Sequence, residues 1–147
     1  LRGGELRLGP DVDVRSGAVL SLSGGRLAFD GPNLLGWGSV VHCAESVHLA
    51  RHAYTGELVT FVDSSHFHSA PDEWSYHNSR SAPIEVGEDA WVCSKATVTS
   101  GVTIGSHAIV GSSSVVTRDV PAGVLVSGVP ATVVRSLGLP WIDEASS

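Results

Sequence analysis

The sequence predicts an all-β chain wound as a parallel β-helix, and three observations predict it. An aliphatic residue returns at every sixth position from Val86, at Val92, Val98, Ile104, Val110 and Val116. Glycine follows it at Gly87, Gly105 and Gly111, and a small residue stands four places after it at Ala90, Ala96, Ala108 and Ser114. The intervening residues are rich in Val, Ile and Thr. A period of six matches neither the turn of a helix nor the bare alternation of a strand, so the β-formers call for short extended segments and the glycines for regular corners. Three such hexads close a triangular coil of roughly 18 residues, in which each inward aliphatic side chain stacks on its equivalent one coil later.

Taken in order, the chain opens with hexads at Leu8, Val14 and Leu20, continues at Phe29, Leu35, Val41 and Val47, and then at Leu49, Thr55 and Phe61. The small shifts of register between these groups imply bulges or short insertions at corners. At three hexads per coil the expectation is about six coils, interrupted once. The interruption is residues 66–83, "HFHSAPDEWSYHNSRSAP", which has Trp, Tyr, Pro and charges but no six-residue period and reads as an extruded loop. The regular hexads from Val86 to Val116 follow, then "TRDVPAGVLVSGVPATVVRSL", which keeps extended character and reads as a final cap. Residues 1–137 thus form a single β-helix domain, and 138–147 a frayed tail.

Bulk properties set the partners. With 147 residues, 42% hydrophobic and 16% charged, the chain has the composition of one globular core. A net charge of -6 with no run of adjacent Lys or Arg lacks the footprint of a nucleic-acid binder. Cys43 and Cys93 are far apart without a CxxC spacing, which suits two free thiols serving as small wall residues in a reducing compartment. No apolar run reaches the length of a membrane span and no signal-peptide pattern opens the sequence, so the expectation is a cytoplasmic protein that meets neither membrane nor nucleic acid.

The chemistry concentrates at the root of the loop. "VDSSHFHSAP", residues 62–71, holds an acid, three hydroxyls and two histidines. His66 and His68, two residues apart, fall on one side of an extended strand, and either imidazole suits general-base work near neutral pH. Asp63 either orients His66 or caps a turn, and the residues alone leave both readings open.

Residues 82–137, "APIEVGEDAWVCSKATVTSGVTIGSHAIVGSSSVVTRDVPAGVLVSGVPATVVRSL", resemble the C-terminal pattern of the hexapeptide-repeat acyltransferases, nearest in layout to the maltose, galactoside and polysaccharide-modifying O-acetyltransferases. The resemblance implies a left-handed parallel β-helix, a homotrimer with active sites between subunits, and transfer of an acetyl group from acetyl-CoA to a hydroxyl of a sugar or other small acceptor, without a metal. That family places a catalytic His about 25 residues before a Trp, and here His66 precedes Trp91 by that interval. His66 would then be the general base, Ser94 the oxyanion donor through its backbone N–H, and Asp63 the partner of His66. Trp91, Ser112 and Thr117 match positions that line the CoA groove, Pro130 one beside the adenine, and Arg118 and Arg135 cations that meet CoA phosphates. The family's acceptor-holding Asn falls on Gly36, so Trp37 and His42, together with His68, Trp74 and Tyr76 of the loop, are the candidates for a different acceptor pocket. Two other classes stay open: a zinc enzyme similar to the γ-class carbonic anhydrases, for which His48 and His66 stand one nominal coil apart, and a non-catalytic assembly module.

Overall fold

The computed structural model describes residues 3–71 and 78–143. Nineteen short strands and one helical turn account for its regular structure. β1 (Glu5–Leu8), β2 (Val12–Val14) and β3 (Val19–Leu22) make the first coil; β4 (Arg26–Phe29), β5 (Asn33–Leu35) and β6 (Val40–Cys43) the second; β7 (Ser46–Leu49), β8 (Tyr54–Thr55) and β9 (Thr60–Val62) the third. After the hairpin β10 (Ser64–His66) and β11 (Ser79–Ser81), winding resumes with β12 (Ile84–Val86), β13 (Trp91–Val92) and β14 (Thr97–Thr99), then β15 (Thr103–Ile104), β16 (Ile109–Val110) and β17 (Val115–Val116). A sixth turn is partial: Val120 bridges to Ile104, and β18 (Val124–Gly128) pairs in parallel with β16 before β19 (Ala131–Ser136) folds back antiparallel.

The three faces of the prism are the three parallel sheets. The first orders β1-β4-β7-β12-β15, the second β2-β5-β8-β13-β16-β18 with β19 at its edge, and the third β3-β6-β9-β14-β17. This arrangement is consistent with the left-handed β-helix that the resemblance implies, with five complete coils and a partial sixth among the described residues.

The hexad residues form the core. Val86, Val92, Val98, Ile104, Val110 and Val116 are all buried, as are the small residues four places on, Ala90, Ala96, Ala108 and Ser114. Upstream, Phe29, Leu35, Val41, Leu49, Thr55 and Phe61 continue the same columns. Leu8 and Val14 of the first coil are 54% and 38% exposed, because among the described residues no coil stacks beneath them, whereas Val19, 52% exposed, faces outward beside the inward Leu20. The corners turn through the left-handed backbone region, which seven non-glycine residues adopt among the described residues, including His52, Leu58, Asp89, Lys95 and His107.

Departures from the six-residue step collect at one corner, where the third sheet hands over to the first. The interval is six residues from Val98 to Ile104, but it lengthens from Leu20 to Phe29, from Val41 to Leu49 and, with the whole extruded loop, from Phe61 to Val86. Val47 is therefore not the next hexad after Val41. It shares β7 with Leu49, and both are buried, stacking against Ile84 and Val86. The tail expected to be featureless carries a helical turn, α1 (Pro140–Asp143), whose Trp141 stands edge-on to His107 at 6.5 Å between ring centroids. No helix among the described residues is long and apolar enough to cross a membrane.

Candidate functional site

The root of the loop is held by a buried carboxylate. Asp63 is fully buried, and its two oxygens accept hydrogen bonds from the amides of Ala44 (2.8 Å), Glu45 (2.8 Å) and Ser46 (2.9 Å) in the widened corner of the coil below. Its carbonyl accepts from the Ala82 amide at 2.9 Å and from Ser100 Oγ at 2.9 Å. The geometry shows Asp63 as a corner cap: three successive N–H groups converge on one charge, a nest for an anion. Cys43, beside it, is buried, and burial together with the Asp63 charge pushes its thiol up to about 11.

From this anchor β10 leaves the prism. His66 is its last residue, exposed, and pairs with Ser79 across the hairpin. Phe67 follows, its amide bonded to the Asn78 carbonyl at 3.1 Å and its ring capped by the Arg80 guanidinium at 4.4 Å. His68 is exposed one residue further on. Trp74 and Tyr76 lie outside the described residues.

A second group of candidates meets at a different corner, where the second sheet turns into the third. There Trp37, Glu57, Ser94 and Ser112, from four consecutive coils, line a cavity of about 360 Å³ with Trp91 and Cys93. Its floor follows from glycine. A Cβ on Gly36 would sit 2.0 Å from the Gly56 carbonyl oxygen, and one on Gly56 would sit 2.6 Å from the Ser94 nitrogen, so neither position admits a side chain at this coil spacing. The Ser94 hydroxyl donates to the Glu57 carboxylate, and that bond holds Glu57 below the usual carboxylate range. The Ser94 amide donates to no acceptor among the described residues, which leaves it able to meet an external oxygen. Burial pushes the Cys93 thiol up, partly offset by Ser112, so Cys93 is a neutral wall group. The Trp37 and Trp91 indoles are 51% and 52% exposed, and the guanidinium of Arg15 stands 5.0 Å from the Trp37 ring.

The remaining candidates are apart from that cavity. Pro130 lies in the turn between β18 and β19, and Arg135 on β19 is exposed, with its guanidinium bonded to the Ser136 carbonyl at 3.3 Å. Arg135 stands in the same row as Trp91, with Ile109 and Leu125 between them. Thr117 and Arg118 are exposed at the loop corner, two coils beyond Asp63. His42 points outward from the third sheet and does not line the cavity. One chain therefore brings together Trp37, Trp91, Ser94 and Ser112, while His66, His68, Thr117 and Arg118 lie along another edge of the prism. Another cavity, about 420 Å³, sits in the widened corner of the first coils against Gly24, Gly25, Arg26 and Glu45 and contains none of the candidates.

His48 is engaged elsewhere. On the outer face of the first sheet its Nδ1 is 2.7 Å from Glu85 and its Nε2 3.0 Å from Asp30, and His66 sits on the hairpin beyond. Among the described residues no group of three or more His, Cys, Asp or Glu side chains is placed to hold a metal ion.

Sequence reasoning missed Glu57. The signal was present: Leu35-Gly36-Trp37, Thr55-Gly56-Glu57, Val92-Cys93-Ser94 and Val110-Gly111-Ser112 are the same hexad position in successive coils. A residue two places after the inward side chain at this corner lines the cavity.

Residues 83–118 match the sequence model of the bacterial transferase hexapeptide (six repeats) family. The galactoside O-acetyltransferase of Escherichia coli (strain K12) is 40% identical over 57 residues, 39% of this chain and 28% of that protein. The chain thus spans well under half the length of such sequence relatives. A hexapeptide-repeat acetyltransferase from Vibrio cholerae superposes with a TM-score of 0.72 at 25% identity, covering 87% of this chain and 74% of that one; it is also known in complex with acetyl coenzyme A. An N-acyltransferase from Bacillus cereus, in complex with dTDP and 3-hydroxybutyryl-CoA, superposes with a TM-score of 0.75 over 99% of this chain and 82% of that one, at 13% identity, a likeness of fold.

Proposed function

We propose that the chain, a β-helix whose residues 83–118 match the bacterial transferase hexapeptide family, transfers an acetyl group from acetyl-CoA to a hydroxyl of a small-molecule acceptor. The observation that carries this reading is the cavity at the corner between the second and third sheets. It unites a free amide at Ser94, a hydroxyl at Ser112 and an indole wall at Trp91, the parts needed to receive a thioester and stabilise its oxyanion.

The base lies on another edge of the same prism, so one chain holds half of the machinery at each of two edges. A homotrimer in which the loop edge of one copy faces the cavity edge of the next completes the site. His66 then removes the proton from the acceptor hydroxyl as its oxygen attacks the thioester carbonyl. The tetrahedral oxyanion rests on the Ser94 amide and collapses with cleavage of the carbon–sulfur bond, and the leaving CoA sulfur takes the proton from His66. Arg135, in the row of Trp91, and Arg118, at the facing edge, are placed to meet CoA phosphates. No covalent enzyme intermediate is required.

The test is release of free thiol from acetyl-CoA across a panel of acceptors, with His66→Ala beside the wild type. The expected result is turnover reduced by about 10²–10⁴-fold with the oligomer and CoA affinity retained. Near-normal turnover of His66→Ala removes His66 from the role of base.

A further inference from the structure

The cavity has two ends. Ser94 and Ser112 occupy the one assigned above to the thioester; the other, one and two coils below, holds Glu57 and Trp37, and Trp91, on the strand that leads into Ser94, walls the same cavity. At roughly 4.8 Å per coil, the separation from Ser112 to Trp37 is on the order of 14 Å, room for a thioester at one end and a ring-sized acceptor at the other.

The lower end is unbalanced in charge. Several carboxylates of the prism have a cation: Glu5 meets Arg7 and Arg26, Asp13 meets Arg15, and Asp30 and Glu85 share His48. Glu57 has no ion pair among the described residues, and its carboxylate contacts the Ser94 hydroxyl instead. The guanidinium of Arg15, which stacks on the Trp37 ring, is committed to Asp13 at 2.9 Å. What remains is an anionic group with two half-exposed indoles lining the same cavity. A carboxylate that shares a cavity with indole rings attracts an ammonium through both its charge and the ring quadrupoles, while a sugar-sized ring finds an apolar surface to lie against.

We infer that this end of the cavity binds the acceptor through a positively charged amino group, held by Glu57 between Trp37 and Trp91, so that the acceptor class is a cationic amino sugar or similar amino alcohol. The inference deepens the acyl-transfer reading and rests on it for the word acceptor; the binding of the cation does not. With the ammonium seated at Glu57, a hydroxyl on the same ring points up the cavity toward Ser94, where the acetyl carbonyl is to be attacked.

The experiment is calorimetric titration of the intact protein, without acetyl-CoA, with glucosamine and with glucose near neutral pH, repeated on Glu57→Gln and Trp37→Ala. Glucosamine is expected to bind at least about tenfold more tightly than glucose. Glu57→Gln, which keeps a side-chain oxygen for the Ser94 hydroxyl, should abolish that preference, and Trp37→Ala should weaken both sugars. Equal affinity of the wild type for the two sugars, absence of binding by either, or a preference untouched by Glu57→Gln overturns the inference. A charge-selective site in a protein that releases no thiol from acetyl-CoA with glucosamine upholds the cation site and sinks the transferase reading instead.

Discussion

Asp63 shows how much one residue can settle. A carboxylate at 0% exposure is tolerated because three amides of the corner below point at it. Asp63→Ala strands those donors and should cost on the order of 3 kcal/mol, read as a lower urea midpoint. Asp63→Asn should lower stability while folded protein keeps its turnover; a turnover loss with stability intact would make Asp63 the orienting partner of His66. A second residue gives a pH signature. Burial pulls the His48 imidazole down, but its bonds to Glu85 and Asp30 outweigh this, and its pKa is raised above 6.5. The folded state therefore holds the proton more tightly than the unfolded chain. That stabilisation is complete below about pH 6.5 and is lost as pH rises through the higher folded value. His48→Gln should thus lower the melting temperature more at about pH 6 than at about pH 8.5. An equal loss at both pH values would mean that the folded imidazole is neutral.

At the scale of the element, the corner between the second and third sheets is a stack in which backbone must pass close to backbone. Gly36 stands where the resemblance would place an acceptor-holding Asn, and the reason it cannot be Asn is local: its missing Cβ makes room for the Gly56 carbonyl. Gly36→Ala should destabilise by about 1–3 kcal/mol, measured by urea unfolding, because the next coil has to shift. An unchanged midpoint would show that the stack relaxes freely. The hexad pattern made these corners legible in the sequence, since Val86 to Val116 all turn inward as their spacing requires. It did not expose the column of Trp37, Glu57, Ser94 and Ser112 that lines the cavity. That column appears only when the hexads are aligned across the extruded loop, and nothing in the period announces which corner is a cavity and which is a bare turn.

At the scale of the whole molecule, the winding was legible because stacking identical aliphatic positions repeats one interaction many times. The register breaks were visible as irregular steps between Leu20 and Phe29 and between Val41 and Leu49, but their confinement to one corner is a property of the closed prism. The same corner carries the hairpin with His66. The candidate site was legible as a set of residues and not as a place, because its members sit on two edges that a single chain keeps apart. Sedimentation of the purified protein is expected to give three copies, and a monomer that still turned over acetyl-CoA would remove the shared site.

The most direct measurement of that shared site uses two disabled proteins. His66→Ala removes the imidazole, and Ser112→Trp fills the cavity with an indole from an exposed corner position. Each alone should release little thiol from acetyl-CoA in the presence of glucosamine. Unfolded together and refolded as a mixture, they should regain turnover, because some interfaces then join an intact His66 to an intact cavity. A mixture as inactive as its two components would contradict the account and put the whole reaction, if there is one, within a single chain.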